Sequence, residues 1–120
     1  MQENIKSMIE ESIETKRLVN ERLMPNIEIA ARLVIGALKN NRKILIAGNG
    51  GSASQASHIA AEFVGRYKIE RRGLPCIALT TDSSILTSWS NDYHYDGIFE
   101  RQLEALAHEG DVFIALSTSG

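Results

Sequence analysis

The sequence predicts an α/β domain, a doubly wound parallel sheet preceded by two helices. Three observations lead there. Residues 43–47, 76–80 and 112–116 are short apolar runs that do not alternate with polar residues, as parallel strands covered on both faces require. Helical stretches near 52–67, 83–90 and 95–108 separate them, which gives a βαβαβ order with right-handed crossovers. A glycine-rich turn follows the first run directly, at the strand end where open α/β sheets bind ligands.

Taken in order, residues 2–23 carry Ile5, Met8, Ile9 and Ile13 at three- and four-residue spacings, an amphipathic helix. Met24-Pro25-Asn26 marks a break, because proline suits a helix's first turn and not its interior. The second helix, 27–38, is apolar around most of its circumference, so one neighbouring layer would leave part of it bare. Such a helix packs against its own domain and against a second subunit. Residues 1–40 are therefore read as a helical oligomerisation segment, and 41–120 as the first half of an α/β sandwich. The third strand ends at Ser117-Thr118-Ser119-Gly120 with no helix after it, so the domain is expected to be truncated there.

Composition narrows the function. One domain with one core fits 120 residues, and 43% hydrophobic with 23% charged is the mix of a soluble globular protein. A net charge of -2 gives no pull toward nucleic acid. The local basic cluster Arg66, Lys68, Arg71 and Arg72, interrupted by Glu70, reads most simply as a solvated loop, the alternative being a rim that attracts an anionic substrate. Cys76 is the single cysteine, so no intrachain disulfide forms, and its apolar surroundings predict a buried, inert thiol. No signal-peptide pattern and no apolar stretch of membrane-spanning length are present, which leads to the expectation of a cytoplasmic protein without membrane contact.

The chemistry concentrates in four places. Gly48-Asn49-Gly50-Gly51-Ser52 joins the first strand to the third helix. Its glycines let the backbone approach a ligand, and the helix start offers free N–H groups to an anion. A P-loop is excluded, because Ser52 and Ala53 stand where its lysine belongs. Gly48 to Ala53 also fits the loose dinucleotide pattern G-x-G-x-x-A with Asp82 after the second strand, a rival reading. His58 and Glu62, four apart, share a helix face opposite Ala53, Ala56, Ala60, Val64 and Tyr67. An imidazole and a carboxylate so placed can share a divalent metal, or the carboxylate can act as a base. Ser117, Thr118 and Ser119 supply hydroxyls beside the glycine turn, and Asn91-Asp92 could bind sugar hydroxyls. Trp89 and the phenylalanines are expected in the core, His94 and His108 on the surface.

These motifs together, with Gly65-Arg66-Tyr67 and Glu109-Gly110-Asp111, resemble the phosphoheptose isomerases of the SIS-domain class over essentially the whole chain. The resemblance implies a flavodoxin-like strand order and a homotetramer around a helical bundle. It implies isomerisation of sedoheptulose 7-phosphate to D-glycero-D-manno-heptose 7-phosphate through an enediol, in the supply of heptose for bacterial lipopolysaccharide. Ser52, Ser117, Thr118 and Ser119 would hold the phosphate, and Asn49, Gly50, Gly51, Asn91 and Asp92 the sugar. Glu62 would be the base, and His58 with Glu62 would ligate one zinc per subunit. The family's acid histidine and a glutamine ligand lie on a last helix that this sequence does not include, so the 120-residue chain is expected to be inactive by itself. The alternative within the class is a non-catalytic sugar-phosphate sensor or a binder of the replication initiator. A relative of that kind lacks a glutamate at the position of Glu62.

Overall fold

The computed structural model describes residues 1–120, in the order α1 (Gln2–Arg22), α2 (Met24–Lys39), β1 (Ile44–Gly48), α3 (Gly51–Val64), β2 (Cys76–Ala78), α4 (Ser83–Asp92), a one-turn 3-10 helix (Tyr95–Gly97), α5 (Ile98–Leu106) and β3 (Val112–Leu116). The chain divides into two compact units, Met1–Leu33 and Val34–Gly120. The first boundary expectation, near residue 40, thus moves into α2. The reason is packing: Val34, Ala37 and Leu38 face the sheet and belong to its core.

In the first unit the helix break falls at Leu23, whose N–H still donates to Val19 O at 2.9 Å. Pro25 then occupies the first turn of α2, where a missing N–H leaves no bond unmade. Along α1 no residue is buried, and Ile5, Met8, Ile9 and Ile13 form an exposed apolar stripe. No helix is long and apolar enough to cross a membrane.

In the second unit, Asn41 ends α2 by adopting a left-handed φ of 55°, and Arg42 N–H returns to Ala37 O at 2.9 Å. Asparagine tolerates this conformation better than most residues, and the motif satisfies a free helix-end carbonyl. The chain then enters a three-stranded parallel sheet ordered β2-β1-β3, with Ile44 opposite both Cys76 and Val112. This order has β3 beside β1, as in flavodoxin-like sheets. In the dinucleotide-binding order, β3 lies outside β2.

All five residues of β1 are buried, because α2 and α3 cover one face while α5 covers the other. Ile44, Ile46, Ala56, Ala60 and Cys76 make the first half of the core; Leu45, Ala47 and Leu79 make the second with Phe99 and Leu103. The expectation that all three strands are covered on both faces holds for β1 only. Past the edge of α5, Ile77 and Phe113 are exposed, so Phe113 is not a core residue. Burial of Cys76 pushes its thiol up to about 11, as an inert cysteine requires.

An ion pair ties the starts of β1 and β3. Asp111 accepts from Lys43 N–H at 2.9 Å and from His108 N–H at 2.8 Å, and Lys43 Nζ lies 2.5 Å from Oδ2. Burial pushes this carboxyl up. The Lys43 hydrogen bonds, the His108 N–H and the Lys43 charge outweigh it and hold the group well below the usual carboxylate range.

Candidate functional site

At the carboxyl end of β1, Gly48 pairs with Leu116 and the chain turns at once into α3. Gly50 has φ 55° and ψ -122°, a conformation that residues with a Cβ rarely adopt. Ser52 and Ala53 N–H groups turn back to Asn49 O, at 3.0 and 3.4 Å. The N–H groups of Gly50 and Gly51 take no backbone acceptor, which leaves them for an anion. The turn borders a hollow of about 100 Å³ lined by Gly48, Asn49, Gly50, Thr80 and Tyr95, among others. Tyr95 enters it from 46 residues away, its hydroxyl donating to Asn49 Oδ1 at 2.7 Å.

Gly48 is required for a steric reason. A Cβ there would lie 2.7 Å from Ser52 Cβ and 2.8 Å from the Ser52 carbonyl carbon. Backbone cannot yield as a flexible side chain can. Gly48→Ala is expected to destabilise the domain by about 1–3 kcal/mol in a urea titration, and to open the turn.

His58 and Glu62 lie on the outer side of α3, Nε2 to Oε1 3.6 Å apart. Opposite them Ala56 and Ala60 are buried, as the periodicity requires. Val64 and Tyr67 are exposed instead of packed, because α3 ends at Val64 and the chain leaves the sheet at Gly65; Ile59 and Phe63 take their place against the core. The pair borders a second hollow of about 500 Å³, apolar where Ile59 and Phe63 face it and walled by Tyr67, Ile69 and Arg71.

Arg71 corrects the reading of a solvated basic loop. Its guanidinium donates to the carbonyls of Glu62 at 2.6 Å, Phe63 at 2.8 Å and Arg72 at 2.9 Å. It thereby caps the last turn of α3, the turn that carries Glu62, with a cation at the negative helix end. Sequence spacing gives no sign of this, since the loop folds back on the helix by a route that no local rule specifies.

The glycine turn and the His58–Glu62 pair do not share one hollow within the chain. Eleven residues separate Gly51 from Glu62, about 16 Å along the axis at the rise of an α-helix. Ser117 follows the β3 residue paired with Gly48, so Ser117–Ser119 leave the sheet on the strand next to the turn without lining its hollow, and Gly120 N–H donates to Ser117 Oγ at 2.9 Å. Ser52 is buried behind the turn. Asn91 and Asp92 lie exposed at the far end of α4, bonded to each other at 3.3 Å, and line neither hollow. Asp82 caps α4, accepting from Ile85 N–H at 3.0 Å. That bond, with the strand order, leaves the dinucleotide reading without its ribose ligand.

A zinc ion binds imidazole and carboxylate at about 2.0–2.2 Å, so two ligand atoms on one tetrahedral edge lie about 3.3 Å apart. The 3.6 Å between His58 and Glu62 fits such an edge. No third His, Cys, Asp or Glu joins them, so this chain by itself does not assemble a four-ligand set.

Comparison with known proteins agrees with this architecture. A family model described as "SIS domain" matches residues 8–120. The phosphoheptose isomerase of Geobacter metallireducens is 53% identical over the whole chain, which spans 64% of that relative. That of Halorhodospira halophila is 52% identical over 98% of the chain, which spans 60% of it. Among solved structures, phosphoheptose isomerase of Neisseria gonorrhoeae superposes with TM-score 0.89 at 42% identity, over 98% of this chain and 60% of that one. The Francisella tularensis enzyme gives 0.91 at 35% identity, over 98% and 61%. With a parallel sheet ordered β2-β1-β3, a strand-end glycine turn and a family match over all but the first seven residues, the chain belongs to the SIS-domain family.

Proposed function

We propose that the protein is a phosphoheptose isomerase, converting sedoheptulose 7-phosphate to D-glycero-D-manno-heptose 7-phosphate for bacterial lipopolysaccharide. The observation that carries the reading is the Glu62 carboxylate, paired with His58 at the edge of a hollow with an apolar floor, on a helix turn whose backbone carbonyls Arg71 caps. Aldose–ketose isomerisation needs a base beside the carbon-bound proton and a group that stabilises the enediolate oxygen. Relatives with this name, at 52–53% identity, support the substrate class. Ser52 and Ser117–Ser119 would hold phosphate, and Asn49, Gly50, Gly51, Asn91 and Asp92 the sugar. The site is tested by mixing the whole protein with sedoheptulose 7-phosphate and following the aldose by NMR; a protein that binds the ketose without forming aldose overturns the reading in favour of a sensor.

Two further parts belong to the proposal. The distance along α3 exceeds what one heptose phosphate spans, so Glu62 and the glycine turn would meet one substrate only in an assembly of subunits. The bare stripe of α1 and the exposed apolar residues of α2, among them Ile27, Ile29 and Leu33, suit the helical core of a homotetramer. Zinc, held by His58 and Glu62 with ligands from elsewhere, would polarise the substrate oxygen. Elemental analysis of the whole protein is expected to find about one zinc per subunit, and His58→Ala less than about a tenth of that. Equal zinc in both would remove His58 from the ligand set.

A further inference from the structure

We propose that Tyr95 is a positioning residue for the strand-end site, holding the Asn49 amide so that its NH₂ group faces the ligand; this rests on the reading of the glycine turn as a sugar-phosphate cradle. An amide carries one acceptor and two donors. Tyr95 Oη donates to Asn49 Oδ1 at 2.7 Å, which occupies the acceptor and leaves the Nδ2 hydrogens free. Together with the N–H groups of Gly50 and Gly51, the turn then presents donors, the groups that phosphate and sugar oxygens require.

Three features show that the tyrosine stands on a fixed platform. Ile98, three residues on, is 2% exposed. Gln102, also buried, donates to Leu79 O at 3.0 Å and to Ile98 O at 2.9 Å, locking α5 to the end of β2. Gly97 fits under Trp89 so closely that a Cβ would lie 2.7 Å from the indole Nε1. The Tyr95 ring itself is more than half exposed, so the core gains little from it. What it contributes is the hydroxyl, which reaches across the hollow to the turn.

Tyr95→Phe keeps the ring and removes only that hydroxyl. In the ¹⁵N-labelled chain the Asn49 side-chain NH₂ resonances are expected to shift to the values of a freely rotating, solvated amide. The dissociation constant for inorganic phosphate is expected to rise about three- to tenfold, the equivalent of one ordinary hydrogen bond. Melting temperature should fall by no more than about 4 °C, since a half-exposed side chain is altered without loss of packing. Unchanged Asn49 resonances in the variant overturn the proposal, and so does equal phosphate affinity in variant and wild type. Absence of phosphate binding in the wild type overturns the cradle reading, and with it the ligand role given to Tyr95. That failure is distinguishable because it shows before any substitution is made.

Discussion

Glu62→Gln is expected to lower isomerisation turnover in the whole protein by about 10²- to 10⁴-fold, the range contributed by a positioned general base. The amide has the shape of the carboxylate and keeps an acceptor near His58, now 3.6 Å from Glu62. Its backbone carbonyl still accepts from Arg71, so the last turn of α3 stays capped. With the side chain about one-third exposed, stability should move by no more than about 0.5 kcal/mol. Substrate affinity, measured by calorimetry with sedoheptulose 7-phosphate, should stay within about threefold if Glu62 acts on the transition state and not on binding. Turnover near the wild-type value would transfer the base role to another residue. An equal loss of affinity would make Glu62 a substrate-binding group instead of the base.

Asp111→Ala is expected to destabilise the domain by about 2–4 kcal/mol, because removing one partner of a buried ion pair strands the other. The estimate sits below that of a fully buried pair, since the Lys43 side chain is 20% exposed and can turn its ammonium toward water. The carboxyl also holds two backbone N–H groups, at the starts of β1 and of the turn into β3. Its effect has a defined pH window. The folded carboxyl lies below the unfolded value of about 3.9, so its contribution is complete above that pH and drains away as pH falls below it. Urea titrations at pH 7 and at pH 3 should therefore differ less for Asp111→Ala than for the wild type. A variant with the same acid sensitivity as the wild type would assign that sensitivity to other carboxylates.

Much of this domain was legible in the sequence because its signals are local. The run 112–116 is β3 as expected, and β1 differs only by a one-residue shift. Lys43 gives its N–H to the Asp111 side chain instead of starting the strand, and Gly48 continues the ladder opposite Leu116. β2 is shorter than expected because the chain turns toward α4 after Leu79, whose N–H closes on Ile46 O at 2.9 Å. The helix 95–108 resolves into a 3-10 turn and α5, since Gly97 is pressed against Trp89.

The site was legible only in part. Helical periodicity placed His58 and Glu62 on one face, but a face says nothing of which hollow lies over it. The axial rise, which was equally available, already separates them from the glycine turn. Arg71 on the end of α3 and Tyr95 on Asn49 are tertiary contacts without a spacing rule, so no pattern along the chain announces them. The same holds for Asn91 and Asp92: their composition suits sugar, while at the end of α4 they are exposed and line neither hollow of the single chain.

Gly48 belongs at once to the last rung of the central strand and to the ligand turn, with the first turn of α3 seated against its α-carbon. Evolution therefore has little freedom to reshape the turn without loosening the sheet. In a saturation screen, changes at position 48 should deplete the amount of soluble protein, whereas changes at 62 should leave abundance intact and remove function per molecule. The divergence of specificity within such a scaffold would then be carried by residues that approach from separate elements, and not by the turn itself.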